Sequence, residues 1–298
     1  MIMRHWMDSP IFTYGRLREW RIFTRRKGDR PNAETGEVCN EINTYGRAVV
    51  IPGVTTEPAT YADEVVCMGV ANGQGVLHLG AKKIPLRTGT TFFMPAGLRH
   101  RFQNTGDVEL EFIFNRRDPG PADPKTFTCH HWSEDRHQDS WGSPMQGHWN
   151  HVPRGPGAGV LIADIPPRKF SHPHNHPPTI DEIWYVNRGL GWHWMRQEYH
   201  VHSPGYALWL EPSELHSLMN PNDENLEFIY SASANDWTRD QAGKKPEKLP
   251  ATPAGLTAAL EQRFGALAAA YRHTGLSIFG IDQNLAEVEK IIQALRKS

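Results

Sequence analysis

The sequence predicts an all-β chain: two tandem jelly-roll barrels with a short C-terminal α-helical extension. Three observations predict it. A block of strand-like segments occurs twice, in the same order and with its glycine turns in the same places. The 26 glycines and 23 prolines favour many short strands joined by turns. Strand-rich units of this size close into barrels, which disposes of unpaired edges.

The duplication can be read residue by residue. LEFIF at Leu110 to Phe114 matches LEFIY at Leu226 to Tyr230, and His100 and Asn104 match His216 and Asn220, all 116 residues apart. Gly89 and Gly205 keep that spacing. Further upstream, Asp63-Glu64-Val65 matches Asp181-Glu182-Ile183 if the intervening turn differs by two residues. The strand series of the first copy begins near Arg47 and runs through DEVVCMGV, GVLHLG, TTFFMP, HRFQN and LEFIFN. The domains expected are therefore a first barrel over 1–115, an inter-domain linker over 116–157, a second barrel over 158–235, and a linker with helices over 236–298.

Outside the two copies the patterns change. The charged run RLREWRIFTRRKGDR, Arg16 to Arg30, reads as a solvated face. The linker is rich in His and Trp and long for a plain connection, which predicts packing across a barrel or over its mouth. After a polar, Pro-rich stretch, Thr252 and Asp282 can cap two helices. Their stripes are Leu256, Leu260, Phe264, Leu267 and Tyr271, then Leu285, Val288, Ile291, Ile292 and Leu295. Those faces must be buried on the barrels or on another subunit, so a homo-oligomer is one expectation.

Composition narrows the function. A chain of 298 residues with 39% apolar content can bury one large core or two modest ones. A net charge of −1 offers no broad attraction for nucleic acid or an anionic membrane, so the expected partner is a small molecule. Cys39, Cys67 and Cys129 are odd in number and widely spaced, which fits reduced thiols in a cytoplasmic protein. No run reaches the length of a membrane-spanning helix, and the N-terminus lacks signal-peptide features.

One stretch carries chemistry: HPHNHPPTIDEIWYVNRG, His172 to Gly189. His172, His174 and His176 alternate, so on an extended strand all three share a face and either neighbouring pair can point inward. Glu182 follows after Pro177 and Pro178, which oppose a helix, and His216 arrives on a later strand. Imidazoles with one carboxylate suit a first-row divalent metal and leave positions open for exchangeable ligands. The surroundings are aromatic: Trp184 shares a strand face with Glu182, Trp192 and Trp194 bracket His193, and Arg196 follows. From this set Trp184, Trp194 and Arg196 are candidates to touch substrate.

These motifs make the chain resemble a two-domain member of the cupin superfamily, a bicupin. The first family motif is matched by His174, His176, Glu182 and Gly189, with five residues between His176 and Glu182 where three or four are usual. The second is matched fully by Gly89, Pro95, Gly97, His100 and Asn104; its later copy keeps Gly205, His216 and Asn220, but Pro212 is one place late and the second glycine is missing. The resemblance implies metal ligands His174, His176, Glu182 and His216, with His172 at the barrel mouth. It implies one divalent transition metal per chain, iron or manganese first, with zinc, nickel or cobalt as alternatives. In the first copy Thr56 and Pro58 take the places of the histidine pair, so that barrel keeps only Glu64 and His100 and is expected to be metal-free.

Fold alone does not name a reaction. The resemblance implies a metal-dependent enzyme, with Glu182 at the catalytic centre. The first expectation is a dioxygenase acting on a small aromatic or keto-enol substrate chelated through its oxygens. The alternatives are an isomerase or lyase of a sugar or uronate-like substrate, and a binding protein without turnover.

Overall fold

The computed structural model describes residues 1–121, 123–134, 137–139, 149–151, 160–167, 171, 180–195, 198–212, 214, 216–220 and 222–233. The expected C-terminal helices and His172, His174, His176 and Arg196 lie outside the described residues, and Trp194 is described by its backbone alone.

The first half supplies β1 (Ile2–His5), β2 (Ile11–Tyr14), β3 (Leu17–Arg25), β4 (Glu37–Cys39), β5 (Ile42–Val50) and β6 (Val65–Asn72). It continues with β7 (Gln74–Leu79), β8 (Lys82–Arg87), β9 (Thr90–Met94), β10 (Arg101–Asn104) and β11 (Leu110–Arg117). The second half opens with β12 (Thr128–His131), β13 (His137–Asp139), β14 (Trp149–His151), β15 (Val160–Ile165) and β16 (Glu182–Arg188). It closes with β17 (Gly191–Met195), β18 (Glu198–His202), β19 (Tyr206–Leu210), β20 (His216–Met219) and β21 (Leu226–Ala232).

Each barrel pairs a large sheet with a small one. The large sheets run β12-β9-β6-β11-β5-β3-β2 and β1-β19-β16-β21-β15-β14-β13, and the small ones β10-β7-β8 and β20-β17-β18. Place for place the two halves agree, except that each large sheet takes its outermost strand from the other half. β1 lies antiparallel on β19, and β12 lies antiparallel on β9. The linker expected to pack across a barrel or over its mouth contributes strands to both large sheets, and the first four strand residues of the chain belong to the second barrel's sheet.

The exchange is locked by glycine. β1 and β12 both run into a His-Trp pair and a 3-10 turn, Trp6–Asp8 and Trp132–Glu134. The Trp6 amide donates to the Gly205 carbonyl and the Trp132 amide to that of Gly89, each at 3.1 Å. Gly205 and Gly89 sit at φ +88° and +89°, where a side chain is strained. A Cβ on Gly205 would also stand 2.4 Å from His5 Nε2, and one on Gly89 2.5 Å from the Trp132 indole.

Hydrogen-bond register fixes the true repeat. Val66 lies opposite Met94 and Arg116, while Glu182 lies opposite Leu210 and Ala232. The ladders even slip at matching places, between Glu111 and Phe112 in one copy and between Val186 and Arg188 in the other. One spacing of 116 therefore holds through β6 and β16, and Glu182 takes the place of Val66. This corrects the equation of Glu64 with Glu182: the shared Asp-Glu pair is a likeness of residue identity out of step with the ladder. Glu64 instead accepts a 2.9 Å bond from Asn43 Nδ2 and faces Arg116 at 3.7 Å.

Strand alternation builds three cores. Val66, Met68 and Phe112 point into the first barrel, and Trp184, Val186 and Phe228 into the second. The opposite faces of the same strands meet back to back, where Cys67 and Ile113 share a cluster with Ile183, Trp209 and Ile229. Most of the charged run expected to be solvated is β3, with Leu17, Trp20, Ile22 and Phe23 buried, while Lys27 to Arg30 are exposed. Its charges were misleading because Glu19, itself buried, is paired with Arg116 at 3.3 Å. Across the seam the buried Asp181 accepts the amides of Asn40 (2.8 Å), Glu41 (2.7 Å) and Ile42 (3.0 Å) and the Trp209 indole (3.2 Å). That carboxylate pins the turn after β4 to the second barrel.

Candidate metal centre

β16 and β20 bring Glu182 and His216 together inside the second barrel. Both are buried, with His216 Nε2 3.0 Å from Glu182 Oε2. The other ring nitrogen of His216, Nδ1, lies 2.9 Å from the Glu214 carbonyl. A carbonyl only accepts, so Nδ1 carries the hydrogen and Nε2 presents a lone pair. A carboxylate also only accepts. Two acceptor atoms facing each other away from water call for a cation beside them, a proton or a metal ion.

Trp184 serves this pair. Its indole donates to Glu182 Oε1 at 2.6 Å, and its ring stacks on Phe228 at 4.7 Å between centroids. The side chain is fully buried. Expected as a substrate contact, it has its polar atom committed to orienting the carboxylate. Trp194 lies on β17 opposite Tyr199 and Ser217. Among the described residues no three His, Cys, Asp or Glu side chains converge on a metal position, so Glu182 and His216 form two of the four expected donors.

The first barrel is the internal control. His100 Nδ1 also bonds a carbonyl two residues back, that of Leu98 at 3.0 Å, and the ring is buried. Burial lowers its pKa and favours the neutral form. The carboxylate is missing, because Val66 stands where Glu182 does. Thr56 bonds both ways with Phe102: its amide donates to the Phe102 carbonyl at 2.8 Å, and its hydroxyl oxygen accepts from the Phe102 amide at 2.9 Å. Ser171 does the same with Leu218 at 2.8 and 2.9 Å. Thr56 therefore corresponds to Ser171, which corrects its equation with His174. Three and five residues beyond Thr56 stand Ala59 and Tyr61; three and five beyond Ser171 stand His174 and His176. Ala59 bridges His100 across the ladder, and Tyr61 stacks on its ring at 5.3 Å. His100 is the single donor of the four left in that barrel.

Two inward residues are absent from the site expected on sequence grounds, where Gln197 to His202 read as an exposed hairpin with polar side chains. His193 is fully buried, with its ring 4.9 Å from Trp184, 6.2 Å from His216 and 6.0 Å from His202. Neither of its nitrogens has a hydrogen-bond partner. His202, also fully buried, binds the Tyr206 carbonyl through Nε2 at 2.9 Å and leaves Nδ1 unpartnered. Burial is the main force pushing the pKa of His193 well below the ordinary range and that of His202 down to about 4, so both rings are neutral at pH 7. A signal was available: at a spacing of 116 the first barrel has Leu77 and Leu86 in these places, both in its apolar core.

Back-to-back jelly-roll sheets, with a glutamate and a histidine meeting inside one barrel, define a duplicated β-barrel class. The chain belongs to the cupin superfamily and is a two-domain member of it. The family model described as "Cupin domain" matches residues 46–114, and that described as "AraC-like ligand binding domain" matches 157–284. Protein SchB of Streptomyces halstedii is 37% identical over 104 residues, 34% of this chain and 72% of that protein. An oxalate-binding protein of Thermotoga maritima is 28% identical over 74 residues, 25% of this chain and 61% of its own length. In fold, the chain resembles oxalate decarboxylase of Lactobacillus farciminis with TM-score 0.60, 13% identity, and 88% and 93% of the two chains covered. It resembles AerE of Microcystis aeruginosa with TM-score 0.56, 13% identity, and 77% and 97% covered. Among the described residues no helix is long and apolar enough to cross a membrane.

Proposed function

We propose that the second barrel is the centre of a metal-dependent enzyme, one divalent ion held by His174, His176, Glu182 and His216, acting on a small substrate that chelates through oxygen. The observation that carries this reading is the 3.0 Å approach of two acceptor atoms, Glu182 Oε2 and His216 Nε2, in a buried place. The donor set fits: two neutral imidazoles three and five residues beyond Ser171 would complete it, as Ala59 and Tyr61 surround His100 in the other barrel. An ion bound there supplies Lewis acidity and positions to hold a substrate, with iron or manganese also able to engage dioxygen.

The chain's own residues do the rest. Trp184 fixes one carboxylate oxygen of Glu182, and the Glu214 carbonyl fixes the tautomer of His216, so both donors are oriented before any ligand arrives. Trp184, Phe228, Met195 and Leu218 surround the pair with apolar surface and exclude water. That aromatic surface favours a dioxygenase reaction on an aromatic or keto-enol substrate over isomerisation or elimination on a sugar acid. Elemental analysis of untagged protein should find one equivalent of metal per chain. His216→Ala should lose it, and substrate-dependent oxygen uptake selects the oxygenase. Two equivalents of tightly held metal, or none after reconstitution, would falsify the centre; turnover without oxygen uptake would shift the reaction to the isomerase or lyase class.

A further inference from the structure

The interior of the second barrel is polar where its twin is greasy. Leu77, Ile84 and Leu86 line one wall of the first barrel; at the same spacing the second has His193, His200 and His202. The strand pairing confirms the correspondence, since Leu77 faces Ile84 on β8 as His193 faces His200 on β18. Leucine therefore fits these places in the fold, and imidazole in them leaves polar atoms buried. Three ring nitrogens have no partner: both of His193 and Nδ1 of His202. Native interiors rarely leave such atoms unpaired, and where they do a ligand or an ordered water is the usual reason.

The chemistry of the missing partner can be read from His202. Its Nε2 faces the Tyr206 carbonyl and must carry the hydrogen, so in the neutral ring Nδ1 is an acceptor. Whatever meets it must donate. A carboxylate cannot donate; a hydroxyl can, and it can also accept from the one N–H of neutral His193.

We propose that His193 and His202 form a hydrogen-bonding wall that recognises a hydroxyl group on the substrate, separate from the groups that reach Glu182 and His216. This names the substrate class of the site proposed above, a hydroxylated small molecule, and rests on that reading for the position of those other groups.

The test measures binding of catechol against pyrogallol and hydroxyquinol, which add one hydroxyl at the two distinct ring positions. Calorimetry is run under argon on the zinc-loaded full-length chain and on the metal-free chain. At least one triol should bind about tenfold more tightly than catechol, the increment of one good hydrogen bond. His202→Leu and His193→Leu should remove that margin while leaving zinc content and catechol affinity unchanged. In the wild-type protein with ¹⁵N-labelled histidine, the triol should shift the Nδ1 resonance of His202, a readout independent of the variants' folding. Equal affinities in the wild type, as for a wall that meets only water, overturn the proposal. So does a margin that survives both substitutions. Zinc content separates the two readings: a chain that keeps the margin but holds no metal retains the wall and loses the metal centre.

Discussion

At the scale of single residues, the buried histidines bind protons less readily than the unfolded chain does, and stability must follow pH accordingly. The pKa of His202 lies at about 4, below the ordinary 6.5, chiefly through burial. Between those values the unfolded state takes up a proton that the folded state refuses, so the stabilisation is complete above pH 6.5 and is lost as pH falls toward 4. From pH 7 to 5 the loss from His202 is about 2 kcal/mol. Urea unfolding of the wild type and His202→Leu at both pH values should show the variant losing less by about that amount; parallel losses would refute a neutral, buried His202. Trp184 offers a second residue-scale check. Trp184→Phe keeps a ring on Phe228 but removes the donor to Glu182 Oε1. Loss of such an orienting bond should weaken metal binding by about 10- to 100-fold in competition with a chelator. Unchanged affinity would mean that the indole bond does not tune the carboxylate.

At the scale of elements, Gly89 and Gly205 carry a double duty. Gly205→Ala places a side chain both at φ +88° and 2.4 Å from His5 Nε2, so the His5 ring at the end of β1 must leave its seat against Tyr206. The expected cost is about 2–4 kcal/mol, backbone strain plus lost packing. Gly53→Ala is the control: its φ of +72° is strained, but nothing lies within 4 Å of the added carbon. It should cost about 1 kcal/mol. Equal urea midpoints for the two variants would show that the exchanged strand is not seated on Gly205. These same positions explain what could be read beforehand. Gly89, Gly205, His100, His216, Asn104 and Asn220 stand out in the sequence because local geometry demands them. Asn104 and Asn220, for example, each bond two carbonyls across a turn, Val50 and Val108 or Ile165 and Glu224. β1 and β12 were hidden because a four-residue strand pairing with a distant one leaves no local pattern. Glu64 misled because identity of two residues outweighed a register that only the ladder and its bulge reveal. His193 and His202 were passed over because their meaning lies in the contrast with Leu77 and Leu86, not in any motif.

For the whole molecule, the swapped outer strands and the shared seam make the two barrels one folding unit. A first half cut before β12, residues 1–125, would lose the strand that covers β9 and would carry β1 with no β19 to pair with. It would also bare Cys67, Ile113 and their neighbours on the seam, where each large apolar side chain is worth roughly 1.5–3 kcal/mol when buried. The Asp181 carboxylate would vanish from beneath the amides of Asn40, Glu41 and Ile42, leaving three donors to find water. Expressed alone, either half should elute as aggregate or as a strand-swapped oligomer and bind a hydrophobic dye. Co-expressed, residues 1–125 and 126–298 should co-purify one to one and melt within a few degrees of the intact chain. A monodisperse, cooperatively melting first half would contradict the exchange, because its sheet would then be stable with an open edge at β9 and an apolar back face in water.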